Sequence, residues 1–242
     1  MDINEQDIRT ASLIGTEALA RVKSAKLLLI GVGGVGGFAA EALARAGVGE
    51  LTLYDSDTVS VSNINRQIIA LHSTVGRQKT EAMRDRILDI NPTCRVVCHN
   101  VFLTRESVGD IPLRDFDFVV DACDTVAVKV ELAVLCESLG VPLISSMGTG
   151  NKLDPTALTV TDIYKTKVCP LARAMRSELK RRGVKALRVV YSEEEPKVPY
   201  PLQYDGEKAD GRRAPASISF VPSAAGLIIA SEVIRAICHE YN

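Results

Sequence analysis

The sequence predicts an α/β protein with a Rossmann-type, mostly parallel sheet, helices on both faces and a C-terminal extension. Short apolar runs alternate with segments of helical spacing, which is typical of parallel strands joined by crossover helices. Glycine or aspartate follows several of these runs, where such sheets bind ligands. With 242 residues, 46% of them hydrophobic, the chain can form one large domain. We expect a single domain over residues 1–242, with a nucleotide-binding half at about 1–150 and a crossover and substrate-binding half at about 151–242.

The predicted strands are short apolar runs bounded by turn residues, and the predicted helices have apolar positions at helical spacing. Strands are predicted at residues 26–31, 51–54, 94–98, 116–120, 141–145, 156–161 and 186–190. Helices are predicted at residues 34–46, 77–90, 125–139, 170–182 and 222–239. Gly47 and Gly183 close two of the helices as left-handed caps. Residues 192–215 are rich in proline, glycine and charge, and predict a mobile loop.

Composition excludes several classes of protein. The net charge of -1 gives no global attraction to polyanions, so nucleic-acid contacts would need a local basic cluster. No apolar run approaches the roughly 20 residues of a membrane span, and the polar first nine residues do not resemble a signal peptide. We therefore expect a cytoplasmic protein without membrane contact. The six cysteines include no C-x-x-C pair, which argues against a tetrahedral zinc site, and the three histidines are interpreted as structural.

A glycine-rich loop follows the first predicted strand and precedes the first helix. Its glycines fit G-x-G-x-x-G and are Gly31, Gly33, Gly34 and Gly36. Glycine allows backbone N–H groups to approach a phosphate at the positive end of the helix. Asp55 ends the next strand, where a carboxylate can accept bonds from two ribose hydroxyls. The loop predicts a nucleotide site, although the glycines could instead serve close helix–strand packing.

A long polar connection after Asp55 distinguishes ATP from NAD as the ligand. It contains Arg66, and Lys79 follows in the next helix, so two cations would lie beside the phosphates. A reaction that displaces pyrophosphate builds negative charge on the leaving group, which fixed cations stabilise. The pattern favours phosphate chemistry on ATP over dinucleotide binding.

These motifs, in this order, resemble the ubiquitin-activating-enzyme superfamily of ThiF, MoeB and HesA proteins. The segments are G-x-G-G-V-G, D-x-D-x-V-x-x-S-N-x-x-R-Q and G-x-x-K. The resemblance implies that Asp55 holds the ribose and that the other site residues contact ATP, namely Asp57, Asn63, Arg66, Gln67, Lys79 and Asp124. It implies catalytic roles for Arg66, Lys79 and Asp124, with Asp124 holding Mg²⁺. Arg9 resembles an arginine that reaches the ATP site of a partner subunit, which implies a homodimer, and the apolar run 224–230 would also need burial.

Each assignment has a structural alternative. Asp124 could cap the helix that follows it, and Arg66, Lys79 and Arg9 could be solvated surface charges. Cys169 precedes Pro170 and could face the site, but a structural role is favoured.

Residues 164–188 carry nine basic residues against one acid, Glu178. Such local density is typical of phosphate contacts, so the segment predicts a nucleic-acid-binding surface. The candidate nucleic-acid-binding residues, which bind tRNA if the resemblance described next holds, are Arg173, Arg176, Lys180, Arg181, Arg182, Lys185 and Arg188. A solvated basic helix or a surface for an acidic carrier protein would give the same pattern.

Six further segments resemble the tRNA threonylcarbamoyladenosine dehydratases, the TcdA or CsdL family. They are SSMG (145–148), NKLDP (151–155), DIYKT (162–166), CPLA (169–172), VVYSEE (189–194) and SISFVP (217–222). The resemblance implies adenylation of the threonine carboxylate of the modified tRNA base, ring closure and release of AMP and pyrophosphate. It also allows a monovalent cation and a sulfur-transfer protein partner. The alternatives are an adenylyltransferase for a sulfur-carrier protein, whose relatives usually carry two C-x-x-C pairs, and a non-catalytic nucleotide-binding module.

Overall fold

The computed structural model describes residues 3–200 and 215–238. Its sheet has seven strands in the order β3-β2-β1-β4-β5-β7-β6, and only the edge strand β6 runs antiparallel, to its neighbour β7. The strands are β1 Lys26–Ile30, β2 Glu50–Tyr54, β3 Arg95–His99, β4 Phe118–Asp121, β5 Leu143–Ser146, β6 Leu158–Asp162 and β7 Arg188–Ser192. The predicted mostly parallel α/β fold is therefore confirmed.

Helices cover both faces of the sheet. They are α1 Ile8–Ile14, α2 Thr16–Ser24, α3 Gly36–Arg45, α4 Lys79–Ile90, α5 Val126–Leu139, α6 Pro170–Arg182 and α7 Phe220–Cys238. Strand side chains alternate between the faces. On β1, Leu27 and Leu29 belong to the main core with α3, α4 and α7, whereas Leu28 and Ile30 belong to a second core with α5.

The sheet reverses its winding at β1. The chain moves from β1 outward to β2 and β3, then returns to the other side of β1 as β4. Parallel sheets of this kind bind ligands at such a switch point, outside the carboxyl ends of the strands. Gly31, after β1, and the loop after β4 meet there, since Ala122 N donates to Ile30 O over 2.8 Å.

The structure departs from the predicted elements in a few places. The sequence predicts no helix before β1, yet α1 and α2 lie there, and α2 buries Ala18, Leu19 and Val22. Helix α4 begins at Lys79 rather than residue 77, because Gln78 is extended and forms a β-bridge with Thr58. Residues 201–214 of the predicted loop and residue 239 of the last helix lie outside the described residues.

Helix α7 is the C-terminal extension. Within the described ranges it alone has the length and hydropathy of a membrane span. It packs in the main core, where Ala225, Ile229 and Val233 are fully buried. The apolar run 224–230, which was expected to need burial, is therefore largely covered within one chain; Leu227, 50% exposed, is the exception.

Candidate nucleotide-binding site

A cleft of about 360 Å³ opens at the switch point. Ten of the twelve predicted nucleotide-site residues line it: Gly31, Gly33, Gly34, Asp55, Asp57, Asn63, Arg66, Gln67, Lys79 and Asp124. Arg9 is exposed on α1 and Gly36 is buried at the start of α3, and neither lines this cleft. The shared position of the ten follows from the parallel strands, whose carboxyl ends meet at one edge of the sheet.

The glycines of the loop serve different purposes. Gly31 has φ 89°, and a Cβ there would lie 2.7 Å from the Ala122 carbonyl oxygen. A Cβ at Gly36 would lie 1.8 Å from the Gly31 carbonyl oxygen, so Gly36 allows the helix to pack against the loop. A Cβ at Gly33 would meet nothing closer than Gln67 Nε2 at 3.9 Å. Gly33 therefore leaves room in the cleft, while Gly36 serves the packing of the helix and does not line the cleft.

Asp55 is held in place by backbone donors. Val32 N donates to its Oδ2 over 2.7 Å, and Asp57 N donates to its Oδ1 over 2.9 Å. Burial raises the pKa of Asp55 above its ordinary value, although Lys79 and the two N–H groups oppose this shift. The carboxylate is thus fixed and partly desolvated, and its remaining lone pairs can accept hydrogen bonds from a ligand.

Lys79 brings a positive charge into the cleft wall. Its side chain is only 7% exposed, and its Nζ lies 2.6 Å from Asp57 Oδ2 and 4.0 Å from Asp55 Oδ1. Lys79 N also donates to Asp57 O, which fixes the first turn of α4 against the loop. The solvated-surface interpretation of Lys79 is therefore wrong, since the residue is buried and paired.

Arg66 and Asn63 also line the cleft. Arg66 donates to Ser62 O over 3.0 Å and to Asn65 Oδ1 over 2.9 Å, which leaves other guanidinium N–H groups for a ligand. Asn63 Oδ1 accepts from Ser60 N in a capping box, so this oxygen supports the local turn. Asn65 Nδ2 donates to Ser217 O over 3.0 Å, joining the two halves of the chain beside the cleft.

Gln67 offers an acceptor to a ligand. The residue is 7% exposed, and its Oε1 has no hydrogen-bond partner within the described part of the chain. Buried polar atoms normally have partners, and an orphan of this kind indicates that a bound group supplies the donor.

The end of β4 and the loop after it carry three polar groups with different surroundings. Asp121 is fully buried and paired with Lys129 over 2.8 Å, so it does not reach a ligand. Asp124 is exposed in the cleft and lies one residue before Thr125, the N-cap of α5, so it is not the N-cap residue. Burial and the Asp121 charge hold the pKa of Cys123 well above its ordinary value, which keeps this cleft-lining thiol protonated.

Cys169 does not line the cleft. It is 2% exposed in the core between α5, α6 and β7, and its Sγ accepts from Ala172 N over 3.5 Å as the N-cap of α6. The expectation that Cys169 could face the site is therefore corrected, because the first turn of α6 turns its side chain into the core.

Part of the cleft wall was not predicted from the sequence. Residues 101–103 follow β3, and they bring Val101 and Phe102, 48% and 68% exposed, to its edge. Thr149, Ser217 and Pro222 reach it from the second half of the chain. The end of a predicted strand was a usable signal for residues 101–103, and Ser217 and Pro222 bound the segment SISFVP that resembles the dehydratases. Thr149 had no such signal.

The basic segment, residues 164–188, is less positive than its sequence indicates, because acidic residues of α5 and α7 pack against it. Glu131 binds Arg182 through two bonds of 3.0 and 3.2 Å, and Glu232 accepts from Arg188 Nε over 2.6 Å. Arg181 pairs with Glu178 within α6. Arg176 donates to Thr166 O over 3.0 Å. The other three candidates, Arg173, Lys180 and Lys185, are exposed, and their side chains form no ion pair with a described residue.

Comparisons with known proteins show the family of this chain. The family model of the ThiF family matches residues 5–242. A tRNA threonylcarbamoyladenosine dehydratase of Bacillus subtilis is 43% identical over 236 residues, covering 93% of this chain and 92% of the relative. The Escherichia coli protein of the same name is 44% identical over 171 residues, covering 71% and 64%.

Solved structures give the same result. The E. coli dehydratase TcdA in complex with AMP superposes with a TM-score of 0.87 at 35% identity, covering 98% of this chain and 97% of the other. Its complex with ATP gives 0.85 at the same identity and coverage. With the family model matched along nearly the whole sequence, this chain belongs to the ThiF family.

Proposed function

We propose that this protein is an ATP-dependent tRNA threonylcarbamoyladenosine dehydratase. The observation that carries the proposal is the cleft at the switch point, where Asp55, Arg66, Lys79 and Asp124 surround a glycine loop. The similarity to dehydratases along more than nine-tenths of the chain supports the same activity.

ATP fits the cleft with its ribose at Asp55 and its phosphates between the glycine loop and the cations. Asp55 accepts bonds from the ribose hydroxyls. The N-terminus of α3 and the N–H groups of the loop bind phosphate, and Arg66 and Lys79 stabilise the charge that develops on pyrophosphate. Asp124 is the carboxylate that would hold Mg²⁺, since Mg²⁺ binds one or two carboxylates together with substrate phosphates. Mg²⁺ held there would stabilise the negative charge that develops on the leaving pyrophosphate.

The reaction has two steps. An oxygen of the threonine carboxylate attacks the α-phosphorus of ATP, and the bond to the bridging oxygen of pyrophosphate breaks. A nucleophile of the same modified base then attacks the acyl carbon, and AMP leaves, so the tRNA loses one water in sum. Ring closure is intramolecular and needs no enzyme nucleophile, because both reactants are already tethered. The protonated Cys123 and the buried Cys169 are consistent with this route.

The tRNA would bind the exposed part of the basic segment. We narrow the predicted surface to Arg173, Lys180 and Lys185, with Arg181 at its edge. Arg176, Arg182 and Arg188 contribute mainly to packing through their bonds within the protein. The homodimer with Arg9 in the partner's site, the monovalent cation, the sulfur-transfer partner and the cytoplasmic location stay predictions.

Mass spectrometry of tRNA nucleosides tests the activity. Incubation of threonylcarbamoyladenosine-containing tRNA with enzyme, ATP and Mg²⁺ should give a nucleoside lighter by one water, together with AMP and pyrophosphate. The control omits ATP. Pyrophosphate release that depends on a sulfur-carrier protein and not on modified tRNA would favour the adenylyltransferase alternative.

A salt series tests the tRNA surface. Changing Arg173, Lys180 and Lys185 to Ala together should flatten the log–log salt dependence of tRNA affinity by roughly 2 to 3, at about 0.7 to 0.9 per phosphate contact. The matched control changes Lys26, Arg95 and Arg114 to Ala together, which removes the same net charge. Lys26 and Arg95 begin strands β1 and β3, and Arg114 lies in the turn Leu113–Asp115. Equal slopes for the two triple variants would remove this surface from the proposal.

A further inference from the structure

A buried ion pair lies directly beneath the loop that carries Asp124. Lys129 Nζ and Asp121 Oδ2 are 2.8 Å apart, and both side chains are fully buried. Two charges removed from water cost several kcal/mol of desolvation, and such a pair is weak evidence of stabilisation. The hydrogen bonds from the pair to neighbouring groups therefore indicate its role better than its energy does.

The pair binds the backbone of Cys123 from both sides. Asp121 Oδ1 accepts from Cys123 N over 3.2 Å, and Lys129 Nζ donates to Cys123 O over 3.2 Å. Ser145 Oγ donates to Asp121 Oδ2 over 2.6 Å and holds the carboxylate from β5. Strands β4 and β5 and the first turn of α5 thus converge on one residue.

Fixing Cys123 also fixes the peptide that enters Asp124. The carbonyl of Cys123 belongs to the same planar, trans peptide as the amide of Asp124, and the described chain contains no cis peptide. With that carbonyl directed at Lys129, the Asp124 amide points away from the buried pair. Ala122 in the same loop packs against Gly31, so its placement affects the glycine loop as well as the loop that carries Asp124.

We propose that Asp121 and Lys129, with Ser145, are positioning residues that hold Asp124 where it binds the metal–nucleotide complex. This inference rests on the proposed function of Asp124. Groups that orient a metal ligand typically change metal affinity or activity by about 10- to 100-fold when removed.

The test replaces the pair without leaving a buried charge unpaired. Asp121→Asn combined with Lys129→Met keeps size and removes both charges. Electron paramagnetic resonance measures Mn²⁺ binding to the enzyme loaded with a non-hydrolysable ATP analogue. We expect the affinity for Mn²⁺ to fall by about 10- to 100-fold. Amide hydrogen exchange in residues 122–125 should accelerate. Glu41→Gln is the matched control, since Glu41 is a buried carboxylate that pairs with Arg45 and Arg86 away from the cleft.

A double-mutant cycle separates positioning from a general loss of stability. In an Asp124→Ala background the pair replacement should weaken Mn²⁺ binding by less than about 2-fold, because its effect passes through Asp124. Ser145→Ala, which removes one donor and no charge, should weaken binding in the same direction by a few-fold and serves if the double replacement does not fold.

Equal effects of the pair replacement with and without Asp124 would overturn the inference and leave the proposed function intact. Wild-type Mn²⁺ binding in the folded pair variant, with Asp124→Ala impaired, would do the same. Unchanged binding in Asp124→Ala alone would refute the metal role of Asp124 and the inference with it.

Discussion

Adding a methyl group at Gly36 or at Gly33, two glycines of the same loop, should have different consequences. In Gly36→Ala the new Cβ would lie 1.8 Å from the Gly31 carbonyl oxygen, whereas carbon and oxygen ordinarily approach to about 3.3 Å. The backbone would have to yield by roughly 1.5 Å. Gly31 has little room to move, because the Ala122 backbone occupies the space where a Cβ of Gly31 would lie.

The expected loss of stability follows from this overlap. Overpacking costs about 1 to 3 kcal/mol, and contact with backbone places Gly36→Ala at the upper end. The better helix propensity of Ala returns up to about 1 kcal/mol. The net loss of about 2 kcal/mol should lower Tm by roughly 4 to 8 °C for a chain of this length.

Gly33→Ala should behave differently, because its Cβ would extend toward the cleft with only Gln67 Nε2 within 4 Å. The fold should keep its Tm within about 1 °C, since no overlap has to be relieved. ATP would meet the methyl group, and a steric cost of about 1 to 3 kcal/mol corresponds to a 5- to 150-fold weaker Kd.

Thermal denaturation followed by circular dichroism and titration calorimetry with ATP and Mg²⁺ measure the two effects. Gly109→Ala is the control, because a Cβ there meets nothing within 4 Å and the residue lies outside the cleft. Wild-type ATP affinity in Gly33→Ala, or an unchanged Tm in Gly36→Ala, would refute the reasoning.

Three further predictions concern the cleft charges and the assembly. Arg66→Ala and Asp124→Ala should each lower turnover by about 100-fold or more with the Tm retained, since each removes an electrostatic stabiliser at the rim of a cleft; near-wild-type turnover in stopped pyrophosphate assays would contradict the assigned role. The pKa of Asp55 is raised by burial above the ordinary 3.8, so its contribution to stability is present at lower pH and is lost as pH rises through the raised pKa. The Tm of Asp55→Asn minus that of the wild type should therefore increase from below pH 3.8 toward neutrality, and a decrease in a pH series would show the opposite shift. Sedimentation should give a dimer at micromolar concentration, and mixing Arg9→Ala with Asp124→Ala should restore part of the activity if Arg9 acts in the partner's site; a fully active monomer would exclude this.

The strands and most helices were predictable because their signals are local. The apolar run of β1, the glycines after it and the periodicity of α5 each lie within about a dozen residues, and all appear within a few residues of their predicted bounds. Helices α1 and α2 were missed because they are short and α1 buries little: Leu13 in α1 is 85% exposed.

The location of the site residues was predictable because the carboxyl ends of parallel strands lie at one edge of the sheet. Asp55 and Lys79 lie in one cleft although 24 positions separate them, because the motif order fixes which loops meet. Asp121 and Asp124 belong to the same four-residue stretch, yet one is fully buried and the other faces the cleft. Nothing in their spacing distinguishes the two, since Lys129 and Ser145 create the buried environment from neighbouring elements.

The sequence by itself therefore determined the fold class, the glycine loop and the set of charged residues around the nucleotide site, all of which depend on local periodicity and on the order of motifs. Only the tertiary structure decided which charges remain available. Arg182 is neutralised by Glu131, 51 positions away, and Arg188 by Glu232, 44 positions away. The physical reason is that a charge acts through its distance and burial, and the distances between α5, α6 and α7 are set by packing that no local pattern encodes.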